Sequence, residues 1–180
     1  MGQEHNIAVE GRAYLLRPDT PKEGLLRQPR SGETLDELSE PLRSNAKEAN
    51  LIMRPPRVTP NTNYILEATE YAQQQGKFLE FHHTAYKTYW EDGGDLGDLT
   101  VIKSIADKVL LDSDELLYSL ENHSYSQTVM AQYQQALDYG IKGIPTFLVG
   151  NLMFTGAQPY EIFQSAMSKF LSGPDDTAAA

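Results

Sequence analysis

The chain has 180 residues, 40% of them hydrophobic, which is enough for one domain or two lobes around a real core. Its formal net charge of −10 makes nucleic acid and anionic membranes poor partners. It contains no cysteine, which excludes a disulfide framework, a cysteine zinc site and a thiol nucleophile.

In chain order, Ile7 to Leu16 alternates as a strand does, with Val9, Ala13 and Leu15 on one face. The next stretch, "RPDTPKEGLLRQPRSG", is rich in proline and glycine and predicts an extended loop. Ser39 is placed to cap a helix with Pro41 in its first turn, running to about Asn50. Pro55 and Pro56 break the pattern. Thr59-Pro60 opens a second helix that Gly76 ends, with Ile65, Ala68, Thr69 and Ala72 facing inward. Phe78 to Trp90 is a third, on the spacing of Phe78, Phe81, Ala85, Tyr86 and Tyr89. Asp98 caps a fourth through about Leu110, Asp112 starts a short fifth, and Gly140 stops a sixth. Two short strands follow, "TFLV" and "LMFT", joined by Gly150-Asn151 as a tight hairpin. A last helix begins after Pro159, and "SGPDDTAAA" is expected to be a disordered tail. The order strand, helical block, hairpin, helix is an α/β arrangement with a helical lobe. No apolar run reaches the ~20 residues of a membrane helix, and no signal-like start is visible, which favours the cytoplasm.

Few residues stand out as chemical. Pro145 follows Ile144 at the mouth of an apolar strand, where it gives up an N–H. Asn61 stands at a helix start, either as a cap or as an amide offered to a ligand. His82 and His83 are neighbours on a helix and point about 100° apart, so no shared metal site is expected. The tyrosines at helical spacing fit core edges better than a stacking surface. Arg17, Arg54 and Arg57 are a candidate anion site, weighed against ordinary surface ion pairing. No phosphate-loop, nucleophile-elbow or metalloprotease motif occurs.

Three segments carry a resemblance. "GIKGIPTFLVGNLMFTGAQPYEIF", "YLLRPDTPKEG" and "RPPRVTPNTNYILEATEYAQQQGKF" resemble the FrnE-like cytoplasmic branch of the DsbA-like thioredoxin family. The resemblance covers about Ile7 to Leu171. It implies a thioredoxin-like fold interrupted by a helical domain, and a lineage of thiol–disulfide oxidoreductases. It implies thioredoxin-like parts at residues 1–30 and 140–172, an inserted helical domain at 31–139, and a tail at 173–180. Pro145 matches the family's cis-proline and Ile144 the residue before it, whose backbone groups meet an extended substrate. The partners implied are an extended peptide or a small thiol substrate.

The family's opening strand and Cys-x-x-Cys have no counterpart here, so no catalytic residue is assigned. Without a thiolate the exchange reaction has no nucleophile, and the chain is expected to be redox-inactive. It reads as an N-terminally shortened member lacking the first core strand and helix. The lost strand is expected to leave the sheet incomplete and open to a partner or a second copy. Two alternatives stand beside this reading. One is a non-redox module that binds a peptide or partner. The other is a relative of 2-hydroxychromene-2-carboxylate isomerases and kappa-class glutathione transferases, where a similar Pro-Asn-Thr segment places Asn61 near the site. No cofactor is expected, except glutathione under that last alternative.

Overall fold

A computed structural model describes residues 7–172. The expectations for residues 1–6 and for the 173–180 tail lie outside the described residues. Backbone contacts divide the chain into two compact units. One is Arg17–Gln132; the other joins Met1–Leu16 to Tyr133–Ala180. The divisions fall after residues 16 and 132, whereas the family resemblance puts them after 30 and 139. The first shifts because part of the early loop pairs into the helical unit. Strand β1, Leu25–Leu26, lies antiparallel to β2, Val58–Thr59. Two residues on each strand were too short a pattern to announce a ladder.

Helix α1 spans Leu42–Glu48. Ser39 does not cap it. Pro41 holds the cap position with no side-chain bond. Instead the Glu40 carboxylate accepts from the Ser44 N–H at 3.2 Å and the Ser44 hydroxyl at 2.6 Å, and pairs with Arg43. These contacts hold the Glu40 carboxyl below its ordinary value, the Ser44 hydroxyl first and Arg43 next.

The next helices follow the expected pattern, except that Thr59 belongs to β2 rather than opening the second helix, which starts after Thr62 with no side-chain cap from that residue. They are α2 (Asn63–Gln74), α3 (Phe78–Trp90), α4 (Leu99–Lys108) and α5 (Ser113–Glu121). Asp98 accepts the Thr100 N–H at 2.7 Å. Asp112 accepts from Asp114 at 3.2 Å and Glu115 at 2.9 Å. Each carboxylate satisfies N–H groups that a helix start leaves without partners, and its charge suits the positive end of the helix dipole. Gly76 follows α2 with φ +68, the left-handed turn that ends a helix. The apolar faces of α2 to α5 close one core around Phe81, Ile102, Ile105, Leu116 and Leu120, all fully buried.

Helix α6, Ser126–Asp138, crosses the second division. Beyond it stand β3 (Thr146–Val149), β4 (Leu152–Thr155) and α7 (Tyr160–Leu171). The two strands pair antiparallel, with Val149 opposite Leu152 across Gly150-Asn151. Phe147 and Phe154 lie face to face at 5.5 Å, and Phe163 of α7 meets both edge-on at 4.8 and 5.0 Å. Three interlocked rings are the packing that holds this small sheet to its helix.

Residues 7–15 form no strand, contrary to their alternation. Ala13 and Leu15 are buried as that pattern requires, but Val9 is 60% exposed. No strand among the described residues pairs with the segment, and an extended chain without a ladder partner is not a strand. Tyr14 from this segment packs edge-on against Tyr133 at 5.4 Å, and its hydroxyl reaches the Ile141 carbonyl at 3.4 Å.

Gly150 carries φ +59, and a Cβ there would run into the Phe170 ring. Gly150→Ala is therefore strained twice, in its backbone and in its contact. The expected loss of stability is about 1–3 kcal/mol. A denaturant titration followed by the β3 and β4 amide signals reads it, and an unchanged midpoint would remove the packing argument.

Candidate functional site

The first sequence-predicted residues stand at the entrance of β3. The Ile144–Pro145 peptide is cis. Two bonds hold the chain on either side of it. The Thr146 hydroxyl donates to the Gly143 carbonyl at 2.8 Å, and the Gly156 N–H donates to the Pro145 carbonyl at 2.8 Å. Ile144 itself is 48% exposed. Among the described residues neither its N–H nor its carbonyl has a backbone partner, and β4 is the one strand paired with β3. Unpaired main-chain groups beside a fixed strand end are what an extended chain needs in order to add itself.

Asn61 stands in the helical unit, where both ends of its amide are used. Its Nδ2 donates to the Thr20 carbonyl at 2.7 Å, and its Oδ1 accepts the Asn63 N–H at 3.0 Å. The side chain thus starts α2 and ties down the early loop. Gly97 packs against it: a Cβ at Gly97 would lie 3.1 Å from the Asn61 carbonyl.

Two polar pairs escaped the sequence reading. Glu67 is buried at 2% exposure on α2. Its carboxylate contacts His123 Nδ1 at 3.2 Å and accepts the Tyr125 N–H at 3.2 Å. His123 stacks on Tyr64 at 5.8 Å and takes φ +51. Glu67, His123, Asn63, Ser126, Val129 and Met130 line a cavity of about 150 Å³. The second pair is Tyr71 with Glu115: the phenol donates to the carboxylate at 2.9 Å. Glu67, Glu70 and Tyr71 fall at three- and four-residue spacing, which flags one flank of α2. Nothing in the local sequence names their partners about 50 residues away.

His82 lies between Phe78 at 5.3 Å and Tyr86 at 4.6 Å. Burial pushes its imidazole below its ordinary value, and the neighbouring His83 adds to this. Among the described residues no group of three or more histidine and acidic side chains converges. No helix among them is long and apolar enough to cross a membrane.

The family profile of the DSBA-like thioredoxin domain matches residues 1–168. The uncharacterized protein YwbO of Bacillus subtilis (strain 168) is 23% identical over 170 residues, covering 91% of this chain and 82% of YwbO. A solved structure described as a "probable DsbA oxidoreductase", from Streptomyces coelicolor, superposes with a TM-score of 0.76 at 21% identity. That match covers 91% of this chain and 75% of the other. A second structure, from Nitrosomonas europaea, gives a TM-score of 0.63 at 15% identity over 80% of each chain. At these identities the superpositions speak for the fold.

Proposed function

The chain belongs to the DsbA-like thioredoxin domain family, and from that premise we propose that it is a FrnE-like homologue of the thiol–disulfide oxidoreductases which exchanges no disulfides itself and holds an extended peptide at Pro145. Exchange begins with attack by a thiolate, and these 180 residues contain no cysteine. What remains is the capacity to bind. The observation that carries the reading is Ile144, whose exposed peptide groups have no backbone partner among the described residues. A peptide laid against them gains main-chain hydrogen bonds without a reactive sulfur.

Insulin reduction by dithiothreitol tests the first half. The rate with the protein present is expected to equal the background rate, and acceleration would sink the claim. Titration of labelled protein with an extended peptide tests the second half. The Ile144 and Thr146 amides are expected to shift. Ile144→Ala keeps the N–H and is expected to keep binding. Ile144→Pro removes that donor, at about 0.5–1.5 kcal/mol, or up to roughly tenfold in affinity. Equal affinities for the two variants would overturn the reading. Amide shifts that follow protein concentration with no peptide added would give the edge to a second copy of the chain instead.

A further inference from the structure

The helical unit holds a cluster of arginines that the proposed function leaves unused. A cleft of about 200 Å³ is lined by Leu26, Arg27, Thr34, Leu35, Pro56 and Arg57 among others. Arg27 is committed: its guanidinium meets Glu33 at 2.6 Å, with side-chain exposures of 12% and 4%. The bond is already strong, and Arg30 adds its backbone N–H to the same carboxylate at 3.0 Å. The carboxyl of Glu33 is held below its ordinary value, first by that Arg30 N–H and then by the charge of Arg27.

The side chains of Arg17, Arg30 and Arg57 have no ion pair among the described residues. Of the three, Arg57 lines the cleft. Arg57 shares the cleft with Arg27, and its carbonyl accepts the Arg27 N–H at 2.9 Å. Nearby acids are mostly engaged: Glu33 by Arg27, and Glu37 by Arg43 at 2.9 Å. Asp36 in the same loop carries no ion pair among the described residues. Two guanidinium groups line the cleft, Arg27 paired with Glu33 and Arg57 with no ion pair among the described residues, and they repel one another, in a chain whose 25 acidic residues outnumber its 15 basic ones. An anion relieves that repulsion.

The cleft also has the other parts of a binding site. Leu26, 82% exposed, and Leu35, 61% exposed, supply apolar wall beside Pro56. The Thr34 oxygen already accepts N–H groups from Asp36 and Glu37, which leaves its own proton to donate. The volume lies below the ~300–1,000 Å³ of drug-sized pockets.

We propose that this cleft binds a small organic anion, one phosphate or carboxylate on a short apolar body, with Arg57 meeting the charge and Leu26 and Leu35 the body. The site lies within the helical unit.

Phenyl phosphate is the probe, followed by calorimetry and by the methyl signals of Leu26 and Leu35. Saturable binding that shifts both methyl sets and weakens with salt is expected. Inorganic phosphate lacks the body and benzyl alcohol lacks the charge; both are expected to bind more weakly. Arg57→Gln is expected to weaken phenyl phosphate about tenfold or more, the worth of one charge-assisted bond. Arg54→Gln is the control, since the Arg54 guanidinium is used on the Glu91 carbonyl at 2.7 Å. Both arginines are exposed, and unchanged amide spectra confirm that the variants fold. Stationary methyl signals, equal binding of benzyl alcohol, or an Arg57→Gln affinity equal to wild type would each overturn the proposal.

Discussion

Phe81→Ala is expected to destabilise the helical unit by about 3–5 kcal/mol. The ring is fully buried on α3 and belongs to the core shared with Ile102, Ile105, Leu116 and Leu120. Its removal loses the transfer energy of the ring and leaves a cavity that close-packed helices fill only in part. A loss of that size is a large fraction of the ~5–15 kcal/mol that keeps a domain folded. The chain's one tryptophan, Trp90, sits at the end of the same helix, so its fluorescence reports this unit. The denaturation midpoint seen by Trp90 should fall steeply. The Phe147–Phe154–Phe163 cluster belongs to the other unit. Signals from β3 and β4 therefore show whether the two units unfold together or apart. A midpoint within error of wild type would mean that Phe81 is not central to the core.

Alkaline melting should expose the second large effect. Tyr71 is 2% exposed, and its phenol is pushed up to about 12, first by burial and next by the hydrogen bond to Glu115. The folded value lies above the unfolded one near 10. The fold therefore favours the neutral phenol. The resulting stability is fully present below about pH 10 and is lost as the pH rises through about 12. A shift of this size corresponds to a ceiling of about 3 kcal/mol. Tyr71→Phe removes the ionisation, and it also removes a hydrogen bond worth about 1 kcal/mol at neutral pH. The variant is expected to start less stable and then to lose less as the pH climbs from about 9 to about 12. Tyr86 and Tyr89 are also raised by burial and contribute equally to both proteins, whereas Tyr125 is raised by burial and its charge in turn raises Tyr71. Parallel curves for the two proteins would rule out Tyr71 as the source.

The candidate site was only partly legible before the fold was known. Pro145 draws attention because a proline before a strand costs an N–H, and that anomaly is local. Ile144 earns its role from what surrounds it: the Gly156 and Thr146 bonds secure its neighbours and leave its own groups unpaired. Asn61 could be named from sequence, but the Thr20 carbonyl that takes its amide lies 41 residues away. The Arg57 and Arg27 pair in the cleft has no motif, because its members come together beside the β1–β2 pairing.

By itself the sequence determined the local elements of this protein. Helices α2 to α7 and the β3–β4 hairpin follow from apolar periodicity, the aspartates that cap α4 and α5 and the glycines that follow α2 and α6, all of which act within a few residues. Tertiary structure alone decided what those elements meet. Residues 7–15 alternate like a strand and form none, since a ladder needs a second chain segment that alternation does not supply. Glu67 looks like a surface position on an amphipathic helix, yet it is buried against His123, and the core-edge Tyr71 finds Glu115, which its own helix does not announce. Periodicity records which side of an element is apolar. Only packing sets which distant groups stand opposite a polar one, and those groups determine whether it is exposed, paired or left free to bind.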